Sequence, residues 1–155
     1  MFEIKGKTAV ITGGTSGIGL ATAEAFLKKG GKVVIAGRSE EKGARALESL
    51  KDTPGDVVFR KTDTSDEEDV KDLINFAVNQ FGSVDIMFNN AGIGNAAPVD
   101  KMSGEDFRKL IDINLTGVFY GIKYAAIQME KQGKGGAIVS TSSIEGTVGD
   151  PNLPA

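Results

Sequence analysis

The chain has no cysteine and no histidine among its 155 residues. Without thiols there is neither a disulfide framework nor a thiolate nucleophile. Without imidazole there is no His-centred acid–base catalysis, and a zinc site loses its usual nitrogen and sulfur ligands, so no metal site is expected. No basic stripe rises above the formal net charge of -3, which argues against nucleic acid as a partner. No apolar run approaches transmembrane length, and Met1-Phe2-Glu3-Ile4-Lys5 has none of the features of a signal peptide, so no membrane partner is expected and a reducing cytoplasmic setting is. Glycine, by contrast, is abundant, with 21 residues that sit between regular segments and so point to tight turns rather than disorder. A composition 40% hydrophobic and 25% charged is that of a globular protein, and residues 1–155 suit one domain with one core.

Along the chain, strands and helices alternate. Lys7-Thr8-Ala9-Val10-Ile11-Thr12 reads as a strand buried on both faces. Gly17 to Lys29 has helical character, with Ile18, Ala21 and Ala25 expected on its apolar face and Gly30-Gly31 as its stop. Lys32 to Ala36 is the second strand. Ser39 is placed to cap a helix to about Leu50, with Glu40 and Glu41 in its first turn, and Thr53-Pro54-Gly55 breaks it. Asp56 to Arg60 is the third strand. Ser65 is read as the cap of a helix carrying the stripe Val70, Leu73, Ile74 and Ala77. Val84 to Asn89 is the fourth strand, Ser103 to Lys131 one long helix, and Gly136 to Ser140 the fifth strand. Gly146 to Ala155, with Gly149, Pro151 and Pro154, reads as loop. Such alternation predicts an α/β fold: a parallel sheet with right-handed crossovers.

The turn Thr12-Gly13-Gly14-Thr15-Ser16-Gly17-Ile18-Gly19 joins the first strand to the first helix. Gly13, Gly17 and Gly19 let backbone N–H groups approach a pyrophosphate, and the helix amino terminus adds a favourable dipole. The competing reading is a turn that only packs strand on helix. The pattern is not a Walker phosphate loop: Gly14 and Gly19 are correctly separated, but Leu20 stands where Lys is required.

Four segments together carry a resemblance. Thr12 to Gly19, Asn89-Asn90-Ala91-Gly92 after the fourth strand, Asp112 to Phe119 in the long helix and Ile138-Val139-Ser140-Thr141-Ser142-Ser143 occur in the order and on the elements of the short-chain dehydrogenase/reductase family, which the whole chain resembles. The resemblance implies a Rossmann-type doubly wound sheet in three α/β/α layers, strand order 3-2-1-4-5. It implies that Gly13, Thr15, Ser16, Gly17, Ile18 and Gly19 line the pyrophosphate. Asn90, Ala91 and Gly92 would pass beside the adenosine ribose and steady the central strand, while Asp63 and Thr64 would border the adenine. For Asp63, a turn contact with Ser65 is the rival reading.

Cofactor choice turns on the end of the second strand, roughly 20 residues past the glycines, where an acid favours NAD. Here Ala36-Gly37-Arg38-Ser39 puts Gly37 at the acidic position. The Arg38 guanidinium can pair with a 2′-phosphate and Ser39 can add a hydroxyl, so NADP is expected, with NAD the alternative. Glu40 and Glu41 would weaken such a site slightly.

For catalysis the resemblance implies that Ser143 hydrogen-bonds the substrate oxygen and Asn114 supports a proton relay. The family's Tyr, counted from Ser143, falls on the first position after Ala155; counted from Ser142 it would fall on Ala155. Neither Tyr120 nor Tyr124 begins a Tyr-x-x-x-Lys. The expectation is therefore the amino-terminal part of a longer enzyme, with residues 1–155 alone inactive and poorly stable because the fifth strand lacks its cover. The activity expected of the complete protein is hydride transfer between NADP(H) and a small alcohol or carbonyl substrate. The alternative is a non-catalytic nucleotide-binding module. The apolar positions Phe107, Leu110, Ile111, Leu115, Val118, Phe119, Ile122 and Ala126 of the long helix point to a homo-oligomer, by resemblance a tetramer or dimer.

Overall fold

The computed structural model describes residues 3–150. Five strands, β1 (Thr8–Thr12), β2 (Lys32–Gly37), β3 (Asp56–Lys61), β4 (Ile86–Asn89) and β5 (Ala137–Ser140), form one parallel sheet in the order β3-β2-β1-β4-β5. Between them run α1 (Gly17–Leu27), α2 (Glu40–Leu50), α3 (Glu67–Phe81), α4 (Gly104–Ile111) and α5 (Gly117–Gln132). Parallel neighbours need crossovers, and the helices serve as these while covering both faces of the sheet.

Alternation along the strands divides the core in two. Val10, Val34, Ala36 and Met87 point to one face and pack with Leu73, Ile74 and Ala77 of α3 and with Ala125 and Met129 of α5. Ala9, Ile11, Val33 and Ile35 point to the other and pack with Ala23 and Leu27 of α1 and Ala46 and Leu50 of α2. The result is the three-layer doubly wound fold expected from the motifs. Val33, Val34 and Ile35 are completely buried, each contributing about 1.5–3 kcal/mol by removal from water. The edge strand β5 is different: Val139 remains 52% exposed.

Three local expectations are corrected. The buried face of α1 is Gly19, Ala23 and Leu27, whereas Ile18, Ala21 and Ala25 are exposed. All of these are small or apolar residues, so periodicity in this segment could not choose the inner face. The cap of α3 is Asp66, whose carboxylate accepts from the Asp69 N–H at 3.0 Å. Ser65 instead donates its N–H and its hydroxyl to Asp63 Oδ1, at 3.0 and 2.7 Å. The long helix from Ser103 is not continuous. Asp112–Thr116 form a π-helical turn between α4 and α5, closed by the Gly117 N–H donating to the Asp112 carbonyl, a five-residue step that widens the helix around Asn114. Of the loop expected from Gly146 onwards, positions 151–155 lie outside the described residues; just before it Ile144–Gly146 make one 3₁₀ turn.

Candidate functional site

In an open parallel sheet the carboxyl ends of the strands diverge where the connection direction reverses, here between β1 and β4. A cavity of about 520 Å³ opens along that edge. It is lined by the turn after β1 (Gly13, Thr15, Ser16), the end of β2 (Gly37, Arg38, Ser39), the segment after β3 (Thr62, Asp63, Thr64) and the segment after β4 (Ala91, Gly92, Ile93), together with Lys42 and Ile113. Of the thirteen residues expected to bind the cofactor, nine line it. Gly17, Ile18, Gly19 and Asn90 do not.

The first turn of α1 is shaped by what cannot be added to it. Gly13 has φ of 64°, and a Cβ on it would lie 3.0 Å from the Ala91 Cα. A Cβ on Gly19 would lie 2.3 Å from the Gly13 carbonyl oxygen. Two backbone segments therefore close to a distance only glycine permits. The Gly14 N–H is spent on the Ala36 carbonyl at 3.1 Å, which ties the turn to β2. Ser16, at the N-cap of α1, makes no side-chain cap bond. Thus the first N–H groups of this helix have no side-chain acceptor and a positive dipole end, the arrangement that receives an anionic phosphate group.

Asn90 holds the turn from behind. Its amide donates to the Thr12 and Gly13 carbonyls at 3.2 and 3.4 Å, and its Oδ1 accepts from the Thr141 hydroxyl at 3.0 Å. The Thr12 hydroxyl oxygen accepts the N–H groups of Asn90 and Ala91 at 3.0 and 3.1 Å. The glycine turn, β4 and the end of β5 are thereby bound together, which fits the strand-steadying part expected of the Asn90 segment. Thr12 opens the glycine motif in the sequence, but its hydroxyl's part in holding the Asn90 segment was not foreseen there.

Beyond the end of β2, Arg38 and Asp63 both line the cavity. Burial alone raises the Asp63 carboxyl, but the hydroxyl and N–H of Ser65 and the nearby Arg38 charge outweigh it and hold the group below the usual carboxylate range. The turn reading of Asp63 therefore holds for Oδ1. Ser39 caps α2, its Oγ accepting from the Lys42 N–H at 3.2 Å, and its hydroxyl hydrogen stays available. Lys42, one turn beyond Arg38, was also overlooked, although the four-residue spacing is legible.

The catalytic candidates come from the other side. The Asn114 side chain clamps the backbone of Ile93 twice: its Oδ1 accepts from the Ile93 N–H and its Nδ2 donates to the Ile93 carbonyl, both at 2.9 Å. The π turn thus fastens the segment after β4 that forms the cavity floor. Gly117, next along, abuts Thr64, where a Cβ would come within 2.7 Å of the Thr64 carbonyl oxygen. Ser143 lies beyond the end of β5 as the N-cap of the 3₁₀ turn, and its hydroxyl makes no hydrogen bond among the described residues. No hydrogen bond joins Ser143 to Asn114. Tyr124 donates to Glu67 Oε1 at 2.9 Å beside Lys123, and this bond to a carboxylate raises the phenol above its ordinary value. That is opposite to what an acid–base tyrosine needs near neutral pH, and it fits a structural tie between α3 and α5.

A family model of the short chain dehydrogenases matches residues 7–155. The chain belongs to the short chain dehydrogenase family. Within that family it is 44% identical over 154 residues to an NADP-dependent (R)-specific alcohol dehydrogenase of Lentilactobacillus kefiri, covering 99% of this chain and 60% of the relative. It is 40% identical over 152 residues to a 2,5-dichloro-2,5-cyclohexadiene-1,4-diol dehydrogenase of Sphingobium indicum, covering 97% and 60%. A short chain dehydrogenase/reductase from Burkholderia phymatum, solved in complex with NAD, superposes with a TM-score of 0.95 at 36% identity, over 99% of this chain and 54% of the other. The chain therefore spans about 60% of the length of these curated dehydrogenases. No helix among its described residues is long and apolar enough to cross a membrane.

Proposed function

We propose that the full-length protein carrying this chain is an NADP-dependent dehydrogenase or reductase acting on a small alcohol or carbonyl compound. The observation that carries the reading is the uncapped glycine turn at the head of α1, opening on a cavity whose far end holds Arg38 and has glycine where an acid would select NAD. A Cβ on Gly37 would sit 3.2 Å from the Thr15 methyl, so an acidic side chain there would crowd the turn itself. The residues fit a nicotinamide dinucleotide. The N–H groups between Gly13 and Gly19 receive the pyrophosphate, with Thr15, Ser16 and Ile18 around it. Ala91 and Gly92 give the ribose close backbone passage, and Asp63 and Thr64 border the adenine. Arg38 and Ser39 meet the 2′-phosphate. The NADP dependence in the name of the Lentilactobacillus relative supports this choice, while the NAD bound to the Burkholderia neighbour keeps NAD as the alternative.

When bound, the nicotinamide supplies the hydride donor or acceptor. Ser143, with its hydroxyl unengaged, hydrogen-bonds the substrate oxygen. Asn114 is a positioning residue that holds the Ile93 segment and leaves a widened helical turn able to seat a relay water. The chain contains no Tyr-x-x-x-Lys, so residues 1–155 alone lack a group to move the proton of the substrate oxygen and are inactive by themselves. The exposed apolar side chains Phe107, Leu115, Phe119 and Ile122 on α4, the π turn and α5 form the contact of a homo-oligomer, a tetramer or dimer.

The test is NADPH oxidation by the full-length protein with a panel of small ketones and aldehydes, with sedimentation for assembly. Turnover that falls by about 10²-fold or more in Ser143→Ala supports the reading. Tight dinucleotide binding without turnover on any substrate would favour a binding module instead.

A further inference from the structure

The charged side chains that line the cofactor cavity are Arg38, Lys42 and Asp63. Arg38 is not a free cation. It also borders a neighbouring depression that holds Glu40, Asp63 and Asp69 beside Arg60 and Lys61, and its charge is felt by Asp63. Within the cavity Arg38 and Asp63 therefore balance. A ribose 2′-phosphate carries about -1.5 to -2 charge near neutral pH, and a wall of zero net charge is a poor host for it. The remaining cation is Lys42, which makes no ion pair among the described residues.

The backbone aims Lys42 at the right place. Its N–H is fixed by Ser39 Oγ at 3.2 Å, which sets it in the first turn of α2. Side chains on a helix lean toward its amino terminus, which here is the Arg38–Ser39 end of the cavity. The two acids that would oppose an anion are directed elsewhere. Glu41 pairs with Arg45 at 3.5 Å along the outer face of α2, and Glu40 lines the neighbouring depression rather than the cofactor cavity. We propose that Lys42 is a second cationic anchor for the ribose 2′-phosphate and, with Arg38, determines the preference for the phosphorylated cofactor. This rests on the NADP reading above and adds to it the residue that breaks the charge balance.

The probes are adenosine 2′,5′-bisphosphate and 5′-AMP, which differ only by the 2′-phosphate and need no nicotinamide chemistry. Each is titrated calorimetrically into the full-length protein and into Lys42→Ala, Lys42→Arg and Arg38→Ala. Lys42 is exposed, so thermal melts of its variants should match the wild type. The expected result is a loss of about tenfold in bisphosphate affinity for Lys42→Ala, no change with 5′-AMP, and recovery in Lys42→Arg. If the wild type prefers the bisphosphate, Arg38→Ala weakens it and Lys42→Ala does not, the proposal for Lys42 is overturned while the NADP reading stands. If the wild type does not distinguish the two probes, both fall.

Discussion

The two ends of the sheet are finished in opposite ways. At the amino end Asp85 draws donors together: its carboxylate accepts the Thr8 N–H at 2.9 Å, the Ser83 hydroxyl at 3.0 Å and the Lys7 ammonium at 3.3 Å. At the carboxyl end the chain enters α1 through glycines with no side-chain cap at all. The other α-helices that start from a loop, among the described residues, do not share this feature. Ser39, Asp66 and Ser103 each accept a backbone N–H from the first turn of their helix. Side-chain caps close the other three α-helices that start from a loop, so the bare start of α1 sets it apart from them. Polar groups that stability would pair are left open where a ligand is to pair them.

The largest effect is expected where a side chain is forced into the glycine turn. Gly19→Ala should weaken NADPH binding by about a hundredfold, the equivalent of about 3 kcal/mol of overpacking against the Gly13 carbonyl; fluorescence titration of the cofactor measures it. Unchanged affinity would mean that the turn does not hold the dinucleotide.

Next in size is the closed end. Asp85→Ala should cost about 1–3 kcal/mol in urea unfolding, because the Thr8 N–H is left buried without its acceptor. Burial by itself raises the Asp85 carboxyl, yet the Thr8 N–H, the Ser83 hydroxyl and Lys7 together bring it below its ordinary value. A depressed folded-state value stabilises the fold above the unfolded-chain value of about 3.9, and the contribution is lost as pH falls through the folded value. The gap between wild type and Asp85→Ala should therefore be full at neutral pH and shrink below about pH 4. A gap independent of pH would show that charge has no part in it.

Smaller effects separate the helix starts. Asp66→Ala and Ser103→Ala should each lower stability by about 1 kcal/mol. Ser16→Ala, which removes no cap, should stay within about 0.5 kcal/mol. Equal losses at Ser16 and Ser103 would erase the distinction between capped and uncapped helices.

Much of this was legible in the sequence because it rests on periodicity and on glycine. The strands β2 and β3 and the stripe Val70-Leu73-Ile74-Ala77 followed from apolar spacing, and the resemblance supplied the strand order and placed the turn, Asn90 and Asn114 on their elements. What escaped depends on choices between near-equivalent neighbours. Ser65 and Asp66 are both good caps, and only the fold shows that Ser65 bonds back to Asp63. Ile18, Ala21 and Ala25 look as apolar as the Gly19-Ala23-Leu27 face that packs, so periodicity could not tell the two faces apart. The π turn is invisible to periodicity, since Asp112 to Thr116 remain helical; it is fixed by the Asn114 bonds to Ile93, a contact across 21 positions. Lys42 escaped because a lysine on a first turn reads as surface until the cavity beside it is known.

We propose that the first turn of α1 is held open for the dinucleotide. Amide hydrogen exchange of the full-length protein, with and without NADPH, tests it at single turns. Protection should rise on Thr15–Gly19 when NADPH is added and stay unchanged on the first turns of α3, Glu67–Asp69, and α4, Gly104–Asp106. Unchanged exchange at Thr15–Gly19 under saturating NADPH would contradict it.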